Sequence, residues 1–436
     1  MASRDKPPAT EPAQQPRIVV TGMGIVSSIG IGKAAFRDAL CAGKSVVTPI
    51  RSFDTTGYLR SEASEIHDLA HLQADYAAMI DRQGRSSCLA VLASREAVRD
   101  AGLSGEQLRE AEAGVLIGTT NGESQILDRI VRGWLHEGPR HVPAADWALA
   151  PAHRISMAVA QDLALDGEAM MVATACAAGN YAIGHATDIL TGGEAEIMIC
   201  GGVDSLNRSA YSGFLRLNAI TTDVVRPFEA DRSGILTGEG AAVLVLETME
   251  HALRRNAPIQ AEILGYASNC DAHHMTAPKM ESISECIRTA HRRAGVVPAD
   301  IDLISAHGTG TRTNDVTEVA AIHQVFGDRA PPTISIKSML GHSMGASSAM
   351  GTIACVLAMQ NSFIPPTVNF RNADPECPID CVPNVGRPQE LSIVENHGFA
   401  FGGNNAILIL RRAPGPGDIP RRAPGPHDAF DARHVP

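Results

Sequence analysis

Apolar positions along this chain fall into two alternating patterns. Short, nearly continuous runs of aliphatic residues read as buried strands, and longer segments between them carry apolar residues at helical spacing. The first strand covers 17–30 and ends in a Gly-rich turn, with a helix over 33–41 behind it. A helix over 85–101 stops at Gly102, and strands follow over 113–120, 170–173, 195–202 and 241–247. Helices over 154–163 and 177–190 flank the 170–173 strand, whereas 129–151, rich in Arg, Trp and Pro, reads as a variable region.

After Met249 the same order begins again. Strands over 258–269, 301–306 and 333–336 alternate with helices over 282–294, 315–326 and 343–360, and a last strand covers 406–410. A duplication of this length predicts two similar α/β units packed about a pseudo-twofold axis. In that alignment Lys337 follows the strand equivalent to the one before Cys176. Sites in open α/β sheets lie at the carboxyl ends of strands, so both halves are expected to face one crevice.

The organisation expected is an N-terminal tail over 1–16, one half over 17–249, a second over 250–412, and a tail over 413–436 in which Arg-Arg-Ala-Pro-Gly-Pro occurs twice from Arg411 onward. Both tails read as disordered, because they offer no apolar face to bury. Composition sharpens the class. With 44% hydrophobic residues, only 4% aromatic, and 40 Gly among 436 residues, the layers must be built from small and aliphatic side chains.

A formal net charge of −11 argues against nucleic acid or an anionic membrane as partner. No apolar run reaches membrane-spanning length and 1–16 has no signal-peptide core, so a cytoplasmic protein is expected. The nine cysteines are scattered without a Cys-x-x-Cys pair, which points to reduced thiols, with neither a disulfide framework nor a zinc site. Gly22-Met23-Gly24 is an incomplete dinucleotide signal, and no acidic residue ends a second strand at the distance NAD binding needs.

Candidate chemistry gathers at strand ends. Cys176 stands between the 170–173 strand and a helix, where unpaired N–H groups and the helix dipole favour a thiolate. Two readings are open for it: a nucleophile, or a small apolar residue filling a core gap. In the second half His307 lies in Ala306-His-Gly-Thr-Gly-Thr311, Lys337 and His342 in Lys337-Ser-Met-Leu-Gly-His342, and Phe399 and Phe401 in a Gly-rich loop over 396–405. A thiolate with two imidazoles and an ammonium suits covalent acyl transfer and stabilisation of an oxyanion or enolate.

The segments TACAAG, AHGTGT, KSMLGH and GFAFGG, in this order and spacing, resemble the elongating β-ketoacyl-[acyl carrier protein] synthases of the thiolase-like superfamily. The resemblance covers 17–411. It implies a five-layered αβαβα fold from two duplicated halves, working as a homodimer or as a heterodimer with a related ketosynthase-like subunit. By motif, Cys176 resembles the acyl-accepting nucleophile, His307 and His342 the pair serving malonyl decarboxylation, Lys337 the active-site lysine and Glu318 its acidic neighbour. Phe401 resembles the gating residue whose N–H, with that of Cys176, forms the oxyanion hole. Thr309 and Thr311 match threonines that contact phosphopantetheine. Phe399 and His274 are expected to line the substrate pocket, with His273 and His274 pocket-lining or structural and not metal ligands.

The activity so implied is decarboxylative condensation of an acyl-enzyme with malonyl-[acyl carrier protein], with no cofactor beyond the carrier's phosphopantetheine. Asn180, Tyr181 and the 118–123 segment look more like specialised type II polyketide relatives than like the housekeeping fatty-acid enzymes. Ala400 and Asn404 depart from the Gly and Thr common there, which bears on the gate and not on the chemistry. A non-catalytic chain-length-factor-like subunit would lack the Cys, and a degradative thiolase would carry Cys-x-Gly in place of GFAFGGNN. Carrier proteins are acidic, so docking needs local positive charge, for which Arg60, Arg82, Arg85, Arg129 and Arg132 are the candidates.

Overall fold

The computed structural model describes residues 15–67, 69, 76–80 and 82–413. The tails expected over 1–16 and 413–436 therefore lie, but for residues 15, 16 and 413, outside the described residues. Ten strands carry the fold: β1 (Ile18–Ser27), β2 (Gly114–Gly118), β3 (Ala169–Val172), β4 (Ile197–Asp204), β5 (Gly240–Thr248), β6 (Ala261–Cys270), β7 (Leu303–Ser305), β8 (Thr333–Ile334), β9 (Ile393–Phe399) and β10 (Asn404–Arg412). They form one continuous sheet in the order β8-β7-β9-β10-β6-β1-β5-β4-β2-β3.

The two halves of that order mirror each other. In the first half β2 runs parallel to β3 and β4, while β4, β5 and β1 pair antiparallel. The second half repeats this with β7 parallel to β8 and β9, and β9, β10 and β6 antiparallel. The halves join through a short antiparallel contact of Ile18–Val20 in β1 with Ala261–Ile263 in β6. The duplication expected from the sequence is thus present strand for strand.

Six helices complete five layers: α1 (Arg85–Asp100), α2 (Arg154–Leu163), α3 (Ala178–Thr191), α4 (Met280–Ala294), α5 (Arg312–Phe326) and α6 (Ser347–Asn361). Helices α3 and α6 pack on each other between the two half-sheets, α1 and α2 cover the outer face of the first half, and α4 and α5 that of the second. Residues Ser347–Met359 of α6 are all buried, as a helix sealed between two half-sheets must be. Close approach at the centre depends on small residues; a Cβ on Gly179 of α3 would lie 2.7 Å from the Ala349 nitrogen. Asn180 stitches the halves together, its Nδ2 donating to the carbonyls of Asn396 (3.1 Å) and Ala406 (3.2 Å).

The glycines of the first strand have a packing cause. A Cβ on Gly22 would lie 2.1 Å from the Ala97 carbonyl oxygen, and one on Gly24 would lie 1.9 Å from that of Ala93. Helix α1 therefore sits directly on β1, and the Gly-x-Gly serves that contact. The Asp100 carboxylate accepts the Met23 N–H at 3.0 Å and that of Glu96 accepts the Ile25 N–H at 2.9 Å, satisfying the strand beyond Val20, where its pairing with β6 has ended.

One expectation fails. The segment 396–405, read as a Gly-rich loop, is the end of strand β9, a turn over 400–403 and the start of β10. Glu395, Asn396 and His397 obscured that strand, because polar residues on a doubly buried strand break the apolar run. The variable region also contains a helix over Ser124–Glu137, whose Ile126 and Ile130 are buried while Leu127, Val131, Trp134 and Leu135 are exposed. Among the described residues no helix is long and apolar enough to cross a membrane.

Candidate active site

The turn that presents Cys176 is strained in the same way in both halves. After β3 the chain enters a one-turn 3-10 helix, Ala175–Ala177, ahead of α3; after β8 a matching turn, Met344–Ala346, precedes α6. Ala175 and Met344 both adopt φ of 48°, a left-handed conformation costly for a side-chain-bearing residue. The duplication therefore aligns Cys176 with Gly345, and only the first half carries a thiol at this point. Gly345 is required there: an added Cβ would lie 2.8 Å from Asp204 Oδ2. That oxygen accepts the Gly345 N–H at 2.6 Å and fixes the second turn beside the first.

Cys176 packs against Ile235 and Met344 and opens onto a cavity of about 80 Å³. His307, His342, Phe399, Phe401, Thr309, Thr311 and His274 line the same cavity. The sequence candidates from five separated segments are thus brought to one cavity. Lys337 and Glu318 stand behind it: Lys337 Nζ donates to the His307 carbonyl, and Glu318 accepts the N–H groups of His307 and Gly308, each at 2.8 Å.

The proton position at His342 follows from its partners. The Met344 N–H donates to His342 Nδ1 at 3.1 Å, so Nδ1 is an acceptor and the ring proton resides on Nε2. Burial, reinforced by the Lys337 ammonium, pushes the His342 pKa well below the usual range. Burial does the same to His307, helped by Lys337, His342 and His397. The rings meet edge to face with centroids 5.5 Å apart, an arrangement open to two neutral imidazoles.

The expected thiolate is corrected by burial. Enclosure pushes the Cys176 thiol up to about 12 against the opposing pull of Lys337, so the free protein holds a thiol. Burial also lowers Lys337 to about 8, with Glu318 the largest opposing influence. Burial is the largest influence on Cys176, His307, Lys337 and His342 alike.

Phe401 is 37% exposed and stacks at 5.5 Å on Phe214, which also lines the cavity. Gly402 and Gly403 beside it take φ of 86° and 81°, which β-carbon-bearing residues avoid. Thr309 and Thr311 share a hydroxyl–hydroxyl bond of 2.8 Å at the mouth. His274 Nδ1 accepts the N–H groups of Thr276 (3.1 Å) and Ala277 (3.2 Å), which gives it a loop-shaping role. Phe214, Asn314 and His397 were not singled out from the sequence. Asn314 lines the cavity and donates to Glu318 at 3.3 Å.

Two of the arginines proposed for docking are unavailable. Arg60 is buried and bonded to the Thr221 and Asp223 carbonyls, and Arg85 forms an ion pair of 2.6 Å with the fully buried Glu239. Arg82, Arg129 and Arg132 are exposed, with Arg129 paired to Asp146.

A duplicated thiolase-like fold, with a strained turn offering a thiol to two imidazoles in one cavity, defines an acyl-transferring enzyme of the condensing class. Sequence comparison gives the family. The model for the Beta-ketoacyl synthase N-terminal domain matches residues 15–252, and that for its C-terminal domain matches 260–371. The chain belongs to the β-ketoacyl synthases. It is 36% identical to Nodulation protein E of Rhizobium sp. (strain N33), over 91% of this chain and 99% of that protein. It is 35% identical to 3-oxoacyl-[acyl-carrier-protein] synthase 2 of Coxiella burnetii, over 91% and 98%. Among solved structures, the ishigamide ketosynthase/chain length factor is 47% identical with a TM-score of 0.89, covering 92% of this chain and 100% of that one.

Proposed function

We propose that this chain catalyses decarboxylative Claisen condensation of an acyl-enzyme thioester with malonyl-[acyl carrier protein], extending an acyl chain by two carbons. The observation carrying the reading is the single cavity lined by Cys176, His307, His342 and Phe401. In the first stage the Cys176 sulfur attacks the carbonyl of a carrier-bound thioester, and the proton of its thiol leaves with the carrier's phosphopantetheine thiol. In the second, His307 and His342 hold the thioester carbonyl of the malonyl group by imidazole N–H bonds while CO2 departs. The enolate so formed attacks the acyl carbon, the N–H groups of Cys176 and Phe401 hold the resulting oxyanion, and the Cys176 sulfur leaves and takes up a proton. Thr309 and Thr311 contact the phosphopantetheine arm, Phe399 and His274 shape the pocket, and no resident cofactor takes part.

Neutral imidazoles suit this task, because a donor that is already uncharged loses nothing when the site closes to water. The low proton affinity of both rings supports the assignment. Lys337 and Glu318 act from behind by fixing the His307 main chain. The test is Cys176→Gln, which is expected to release CO2 from malonyl carrier protein without making product; release no faster than in His307→Ala would overturn the histidine roles.

The pathway we infer is a specialised type II polyketide system, supported by the 47% identity to a ketosynthase/chain length factor. Housekeeping fatty-acid elongation is the alternative, favoured by the 35% identity to the Coxiella synthase. Cys176 together with both histidines speaks against a chain-length-factor role. The partner subunit would cover the free edge of β3, where Met170 is exposed. An acyl carrier protein would dock near the cavity mouth, with Arg82, Arg129 and Arg132 the remaining candidates. Co-expression with a Cys-less homologue separates the pathways: a stable heterodimer supports the first, and a homodimer active on its own supports the second.

A further inference from the structure

Behind the cavity lies a row of titratable side chains of which the condensation steps above use only Glu318. His397, near the end of β9, has Nδ1 2.9 Å from Glu318 Oε1 and Nε2 2.6 Å from Glu395 Oε1. The other oxygen of Glu395 lies 2.6 Å from Nε2 of His291 on α4. Glu318 Oε1, which faces His397, is the atom that accepts the His307 N–H. The row runs from α4 through β9 to the main chain of a cavity histidine, and all four side chains are buried.

Counting protons assigns the charge. An ionised carboxylate only accepts, and a neutral imidazole has one N–H to give. A ring bonded to carboxylates through both nitrogens is therefore a cation, or one of the acids keeps its proton. Two buried carboxylates around a neutral ring would have only the Lys337 ammonium beyond Glu318 to balance them, whereas an imidazolium makes both contacts charge-assisted. Burial opposes a charge on His397, but the bonds to Glu318 and Glu395 outweigh it and raise the ring to about 9. The ionisable neighbours are Glu318 from α5, Glu395 from its own strand, His307 with Lys337 beyond it, and, through Glu395, His291 and Cys286 from α4.

We propose that His397 is a positioning residue: clamped as an imidazolium between Glu318 and Glu395, it holds the Glu318 carboxylate on the His307–Gly308 main chain and so keeps the His307 ring aimed at the malonyl carbonyl. The inference rests on the decarboxylation role given to His307 above. It separates the two half-reactions, because acyl transfer to Cys176 uses the Cys176 and Phe401 N–H groups and not the His307 ring.

The experiment uses full-length His397→Asn and Glu395→Gln, with acyl transfer to Cys176 and CO2 release from malonyl carrier protein measured separately against pH. His397→Asn is expected to slow CO2 release about tenfold or more while acyl transfer stays within about threefold. Glu395→Gln keeps an acceptor for the ring but removes a charge, so the alkaline limb of CO2 release moves to lower pH. Equal losses in both half-reactions, or full rates in both variants, overturn the proposal. Histidine-selective 15N spectra of the wild-type protein, assigned with His397→Asn, give a readout independent of activity. Two protonated ring nitrogens at about pH 7.5 are expected, and a neutral tautomer overturns the clamp. Unimpaired CO2 release by His307→Ala would instead remove the parent reading and leave the 15N result standing.

Discussion

Replacing Lys337 by Met exchanges a buried ammonium for an apolar chain of similar length, and the structure predicts both sign and size of the effect on stability. Burial lowers the Lys337 pKa from 10.5 to about 8, which at about 1.36 kcal/mol per unit is roughly 3 kcal/mol. The folded state thus holds this proton less tightly than the unfolded chain. The charged form costs the native protein that amount below pH 8, and the cost fades as pH rises toward 10.5. The variant escapes it but leaves the His307 carbonyl without its Lys337 donor, a loss of about 1 kcal/mol. Lys337→Met is therefore expected to be more stable than the wild type by about 1–2 kcal/mol at pH 7, while CO2 release slows. The advantage should shrink and then reverse as pH approaches 10, because only the wild type gains stability there. Urea unfolding of both proteins at four pH values between about 7 and 10 measures the difference directly. A variant that is less stable at pH 7, with a difference that does not change with pH, would refute the reasoning.

Further predictions follow from other parts of the structure. Because His307 and His342 are both pushed well below 6.5, the rate of CO2 release should stay flat as pH falls from 8 to below 6; a midpoint near 6.5 in stopped-flow assays contradicts neutral, buried rings. Gly345→Ala sets a Cβ 2.8 Å from Asp204 Oδ2 and should cost about 2 kcal/mol by chemical denaturation, whereas an unchanged midpoint would mean that the turn beside Cys176 yields easily. Arg85→Ala strands the fully buried Glu239 carboxylate, which also accepts the Ile66 N–H at 2.8 Å and the Leu206 N–H at 3.0 Å. A loss of about 3–5 kcal/mol is expected at neutral pH, and a loss below 1 kcal/mol shows the pair to be dispensable. In the wild type Glu239 titrates below its usual range, since Arg85 and these bonds outweigh its burial, so its contribution should disappear as the solution is acidified through that lowered pKa.

Much of this molecule is legible in the sequence where a residue's role depends on its neighbours in the chain. The apolar runs mark the strands, and their recurrence after Met249 marks the duplication that the sheet order repeats. Cys176, His307 and His342 stand out because each lies in a short motif at a strand end, and the fold brings those ends to one cavity. What stays hidden depends on distant partners. Strand β9 is masked by Glu395, Asn396 and His397, whose partners His291, Asn180 and Glu318 come from other elements. Arg60 and Arg85 look like free surface charges until the fold turns them inward onto Thr221 and Glu239. The helix Ser124–Glu137 escapes because charged residues and Gly133 interrupt its spacing and part of its apolar surface faces outward. The state of the Cys176 thiol is likewise decided by enclosure, which outweighs the helix-end effect that its position suggests.

The central claim is that Cys176 carries the growing acyl chain, and intact-protein and peptide mass spectrometry after incubation with acyl carrier protein thioesters tests it most directly. The account predicts one acyl group per chain, located on the peptide containing Cys176, and discharged as β-ketoacyl product when malonyl carrier protein is added. A wild-type chain that gains no acyl mass on that peptide, or that forms product equally well as Cys176→Ala, would contradict it.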